Sequence, residues 1–207
     1  MITWIILKGL YNMNKYMGFY ELKYIGLPSV PWKEFKYDTK LDDNTLWTLR
    51  VAIEGSNDLN LPRYIGISSK DAYVYGKTLI EKYNGTGLIV YYPYFVAEKS
   101  GVMEISMNRT VIEAVKGDLW NFVTLGHKDV NIIITDNSKI VNGDTKFLSD
   151  NEIDEITKYC SKIKYEYKEL MYAGKSIITE WSYAYKSDIN KNKIGERYLV
   201  FYELRSL

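Results

Sequence analysis

The sequence predicts an α+β fold with mainly antiparallel sheets and flanking helices, and three observations carry that expectation. Segments of helical period and segments with the β-branched and aromatic content of strands follow one another without regular strand–helix–strand alternation, which disfavours a doubly wound parallel sheet. Several strand-like runs are joined by short polar turns, as hairpins are. Hydrophobic residues make up 46% of the 207 residues, enough for a sizeable core, and neither an internal repeat nor a low-complexity linker interrupts them.

Taken in order, "GFYELKYIGLPSVPW" (18–32) reads as a short helix ended near Gly26 and followed by a proline-punctuated turn. "TLWTLRVAIEG" (45–55) reads as a strand and the polar stretch after it as a loop. In "SSKDAYVYGKTLIEKYNGTG", serines suited to capping precede Ala72, Tyr75, Leu79 and Tyr83 at near-helical spacing, and Gly85 is suited to end the helix. "GLIVYYPYFV" (87–96) is a strand that must change character at Pro93, which has no N–H to donate. "GVMEISMNRTVIEAV" predicts a hairpin turning at Asn108, and "VNIIITDNSKIVNG" a strand pair around Asp136 and Asn137. "SDNEIDEITKYCSKIKYEYKELMYAG" predicts one long helix. Ser149 and Glu152 form its capping box, Ile153, Ile156, Cys160, Ile163, Tyr167 and Leu170 its apolar stripe, and Gly174 its stop.

Composition narrows function by exclusion. A net charge of +1 argues against a nucleic-acid partner recruited by bulk electrostatics. The apolar start "MITWIILKGLY" is too short to span a membrane, so no membrane partner is expected. Cys160 is the only cysteine, which rules out an internal disulfide and points to a cytoplasmic setting. With His127 the only histidine, His-based triads and multi-His metal sites are excluded. The 20 tyrosines read first as amphipathic filler of a β-rich protein, and second as a sugar-stacking surface.

The last 30 or so residues form a predicted hairpin around the polar stretch 186–193. With its loop centred near 189–194, Glu180 falls opposite Glu203 and Ile178 opposite Arg205. Two carboxylates facing each other across a ladder cost up to about 1 kcal/mol unless something offsets them. A divalent cation would do so, and so would Arg205 at a solvated sheet end. Both readings stay open on spacing alone.

The order of motifs resembles the ATP-grasp nucleotide-binding domain of the pyruvate phosphate dikinase, phosphoenolpyruvate synthase and rifampin phosphotransferase family. "NKYMGFYELKYIGLPSVP" is similar to the family's opening, with Lys15 on its phosphate-binding lysine. "WTLRVA" places Arg50 on the arginine that contacts the transferred phosphate. "LIVYYPYFVAEKSGVMEIS" resembles the hinge strand, which sets Tyr92 and Tyr94 beside the adenine pocket. "VIEAVKGDLWNFVTLG" puts Asn121 where the family has an acidic nucleotide contact. "TEWSYA" and "FYELRS" align Glu180, Glu203 and Arg205 with the terminal hairpin. The resemblance implies two lobes, 1–86 and 87–207, forming one compact unit around bound ATP and Mg²⁺. Glu180 and Glu203 would hold the metal, and Arg50 and Arg205 would stabilise the transferred phosphoryl group.

Departures weigh on the activity. Ile178 replaces an aspartate, "DLWN" (118–121) replaces a Gly-Leu-Gly-Glu segment, and the family's phosphohistidine domain is absent from the sequence. The implied function is therefore an ATP/Mg-binding phosphotransferase acting on a small molecule or on a separate phosphohistidine-domain protein. Its alternative is a catalytically degenerate relative that senses nucleotide or binds a partner protein.

Overall fold

The computed structural model describes residues 13–53, 61–83, 85–120, 126 and 128–207. Two antiparallel sheets face each other, with helices on their outer sides. Helix α1 (Lys15–Tyr24) comes first, followed by strands β1 (Lys33–Glu34), β2 (Trp47–Ile53) and β3 (Arg63–Ile67), helix α2 (Ser69–Tyr83) and strand β4 (Gly87–Pro93). These four strands form one sheet in the order β1-β4-β2-β3. The chain crosses to the second sheet at Tyr94. There β5 (Phe95–Ile105), β6 (Arg109–Lys116), β7 (Val130–Thr135) and β8 (Lys139–Gly143) form a meander. Helices α3 (Asp150–Thr157), α4 (Cys160–Glu166) and α5 (Lys168–Tyr172) lead to β9 (Ile177–Ser187) and β10 (Lys193–Ser206). The second sheet runs β10-β9-β5-β6-β7-β8.

Burial explains the strand sequences. In β4, Leu88, Val90 and Tyr92 enter the core between the sheets, while Ile89 and Tyr91 pack under α2 with Leu49, Val51 and Leu79. Both faces are covered, so "LIVYY" is apolar throughout instead of alternating. A third core fills the outer face of the second sheet, where Ile105, Ile112, Trp181 and Phe201 meet Leu22 of α1 and Ile156 and Ile163.

One long helix was expected over 150–173, and the chain makes three short ones instead. Tyr159 and Tyr167 stand between them, Tyr167 at φ −114° and ψ 22°. The apolar stripe is nonetheless the buried face: Ile153, Ile156, Ile163, Tyr167 and Leu170 are all within the core. At the first break the Tyr159 ring seats against Phe201 with centroids 5.7 Å apart. Neither glycine nor proline marks the breaks, so periodicity could not reveal them. The capping box forms as expected, and its Glu152 also receives Lys99 at 2.9 Å and pairs with Arg197. Trp181 and Tyr183 are among the largest fully buried side chains, while Tyr24, Tyr37, Tyr165 and Tyr172 are exposed. No described helix is long and apolar enough to cross a membrane.

Candidate site between the two sheets

The site grows from one cross-strand pair. Glu203 of β10 lies opposite Glu180 of β9, and Arg205 opposite Ile178, the register the terminal hairpin predicts. A register shift between Phe201 and Glu203 inserts Tyr202 as an extra residue. Tyr202 then packs in the inter-sheet core while Glu203 also turns toward the first sheet. Glu203 is 3% exposed, so its charge must be met by protein.

Three cations meet it. Arg50 comes from the inter-sheet face of β2; its Nη2 donates to Glu203 Oε2 at 2.6 Å and its Nη1 to the Tyr202 carbonyl at 3.2 Å. Lys15 Nζ, in the first turn of α1, lies 3.5 Å from Glu203 Oε1. Arg205 Nε lies 3.3 Å from the same oxygen. Asn14 caps the helix by accepting from the Met17 N–H, and Gly18 lets α1 lie directly on β10. Pieces from both ends of the chain are thus fixed around one carboxylate.

The two glutamates differ in charge state. Burial opposes ionisation of Glu203, but Arg50, with Lys15 and Arg205, holds its carboxyl below the usual range. Burial and then the Glu203 charge push Glu180 up to about 7, against the pull of the three cations. Between the ordinary value of 4.5 and about 7, folded Glu180 keeps a proton that the unfolded chain has released, so stability falls as pH rises through that window. Glu180→Gln removes this titration. The variant is expected to gain on the parent by roughly 1–3 kcal/mol between about pH 5 and pH 8. Urea midpoints measured across that range check it, and parallel pH curves for the two proteins would remove the basis for it.

Next to the cluster lies a cavity of about 70 Å³. Its inner wall holds Arg50, Tyr92, Glu180 and Tyr202, and its outer part Tyr94 and Trp120. Burial raises the Tyr92 hydroxyl pKa, only partly countered by Arg50 beside it. Of the residues singled out from the sequence, Lys15, Arg50, Glu203 and Arg205 therefore converge, Glu180 faces Glu203, and Tyr92 and Tyr94 line the adjoining space. Asn121 and His127 lie outside the described residues. Thr48, Arg63, Asp118 and Tyr202 also line the cavity and were not singled out as ligand-binding residues. Arg63 could have been found only from the β2–β3 register, where it pairs with Arg50.

The residues do not fit a resident Mg²⁺. Such an ion needs carboxylates whose charge is not already compensated. Glu203 gives one oxygen to Arg50, and its other oxygen, which accepts no hydrogen bond, lies 3.5 Å from Lys15 and 3.3 Å from Arg205, so a dication there would face three positive charges. Glu180 alone remains, and among the described residues no group of three or more His, Cys, Asp or Glu side chains converges. Glu180 and Glu203, the pair expected to hold the metal, face each other as one carboxylate enclosed by cations and one carboxyl whose pKa is pushed up to about 7.

No family model matches the chain, and no curated protein matches it in sequence. Solved structures do. The dinucleotide forming acetyl-coenzyme A synthetase 1 of Ca. Korarchaeum cryptofilum, in complex with coenzyme A, Ca-AMPCP and HgCl+, superposes at a TM-score of 0.52 and 8% identity. The match covers 100% of this chain and 97% of that one. The same synthetase with coenzyme A, acetyl-coenzyme A and a phosphorylated phosphohistidine segment gives 0.47, also at 8% identity. The fold is ATP-grasp-like. At this identity the likeness concerns the path of the chain alone.

Proposed function

We propose that the chain binds the phosphates of a nucleotide, ATP foremost, in the cleft between its two sheets. One observation carries this reading: Lys15, Arg50 and Arg205, from three separate elements, converge on a single buried carboxylate beside an aromatic-lined cavity. With Glu203 ionised and Glu180 protonated, the five groups sum to a charge of about +2, which an oxyanion would offset. Glu203 keeps the cations from repelling one another while the site is empty of ligand. The structural neighbour, whose complex includes Ca-AMPCP, supports a nucleotide as the anion.

A cavity of about 70 Å³ is well below the roughly 300–1,000 Å³ of ligand pockets. Entry of a nucleotide therefore requires the facing elements to part, with Arg50 exchanging part of its hold on Glu203 for phosphate. Tyr92 and Tyr94 would then flank the base.

The same observations rank catalysis below binding. A phosphotransferase would use Arg50 and Arg205 to stabilise the transferred group and would pass it to a small molecule or to a separate phosphohistidine-domain protein. It would also need metal positions that Glu203 has given to cations. A nucleotide sensor without group transfer asks only for the cationic cluster, and that is the reading adopted.

Thermal denaturation with ATP tests it. At about 100 Kd the parent should gain roughly 2.7 kcal/mol. The gain should persist in EDTA, because protein cations supply the charge compensation, and should largely vanish in Lys15→Met. No stabilisation by ATP, with or without Mg²⁺, would end the proposal in favour of a protein-interaction role.

A further inference from the structure

Arg63 of β3 is directly opposite Arg50 of β2. Like charges so placed destabilise a sheet unless each finds a partner. Arg50 has Glu203 and the Tyr202 carbonyl. Arg63 has an aromatic ring: its guanidinium carbon sits 4.3 Å from the centroid of Trp120, and among the described residues no ion pair or side-chain hydrogen bond engages it. Both residues line the cavity that Arg50, Tyr92 and Glu180 close from within, and both are exposed, Trp120 by 52%. They therefore form its mouth, one from each side of the cleft. Asp118 lines the same space, but its Oδ1 accepts the Trp120 backbone N–H at 2.8 Å, which fixes the tryptophan and leaves the arginine to the ring.

We propose that Arg63 is a second oxyanion-binding group, held on the Trp120 ring at the mouth of the cavity until a phosphate or polyphosphate takes it. The proposal rests on the nucleotide-phosphate reading above and extends it to a residue that reading does not use. A guanidinium stacked on an exposed indole keeps its planar face covered and its N–H edge free, so it can turn to a bidentate oxyanion at little cost. Inner and outer arginines on adjacent strands would then grip successive phosphates. A merely structural staple between β3 and the 118–120 segment would share the stacking but have no response to anions.

Pyrophosphate and ATP, titrated into the full chain, decide between them. Tryptophan emission should change saturably with pyrophosphate, and the change should be lost in Trp120→Phe, whose ring preserves the packing. Arg63→Gln should bind pyrophosphate about ten-fold more weakly, the loss of one charge-assisted contact, with its melting temperature in the absence of ligand unchanged. Equal affinity of parent and Arg63→Gln for both ligands overturns the proposal, as does an emission change that survives in Trp120→Phe. ATP binding that depends on Arg50 but not on Arg63 leaves the nucleotide reading standing and removes this one. Arg63-dependent pyrophosphate binding with ATP binding no tighter does the reverse, and no binding of either anion overturns both.

Discussion

Arg50→Met should lower the unfolding free energy by about 3–5 kcal/mol, the range for breaking a buried pair from one side. The residue it abandons, Glu203, has a side chain only 2% exposed, and the Tyr202 carbonyl loses its donor as well. Lys15 and Arg205 approach only the other carboxylate oxygen, at 3.5 and 3.3 Å, both longer than the 2.6 Å contact that is lost. The loss should also open the cleft, since this pair ties the first sheet to the second. Urea unfolding measures the change. The double variant Arg50→Met with Glu203→Leu should recover most of it, because the cost lies in stranding a charge and not in lacking a salt bridge. A single variant within about 1 kcal/mol of the parent would show that solvent reaches the pair.

Gly18→Ala should be nearly as damaging. A Cβ at this position would stand 1.8 Å from the Leu204 carbonyl oxygen and 2.9 Å from its carbon, both main-chain atoms of a strand held on one side by β9. Helix α1 must lift away or the strand must bow. Overpacking of this kind costs about 1–3 kcal/mol, with this backbone-on-backbone clash expected at the upper end. For a chain of this size that is a fall in Tm of roughly 6–12 °C. Lifting α1 also withdraws Lys15 from Glu203, so ATP should stabilise the variant less than the parent. An alanine variant with an unchanged Tm and an unchanged response to ATP would mean that α1 does not rest on β10.

Element types were legible wherever the chain punctuates itself. Gly26 and Gly85, both at positive φ, end the helices they were expected to end. Pro93, with no N–H to donate, is the last residue of β4 and marks the break before β5, and Ser149 and Glu152 close a helix start through their own side chains. The Glu180–Glu203 and Ile178–Arg205 pairs of the terminal hairpin were legible once its loop was placed near 189–194, whereas its register shifts between Ile194 and Tyr198 and between Phe201 and Glu203 were not. The breaks at Tyr159 and Tyr167 were not. Neither glycine nor proline stands at them, and Tyr159 packs on Phe201, a residue far along the chain that local sequence cannot anticipate.

The sequence by itself determined the α+β character and the helix caps, because each depends on short-range spacing; the pairing of Glu180 with Glu203 needed a loop position as well, and Lys15 and Arg50 were singled out only by the family resemblance. Only the tertiary structure decided what those charges do. Whether Glu203 faces a metal or three basic side chains depends on where α1 and β2 come to rest. Those elements are 188 and 153 residues away from it in sequence, taken at Lys15 and Arg50. A buried carboxylate takes its role from the nearest compensating charge, and which charge is nearest is settled by how the two sheets pack.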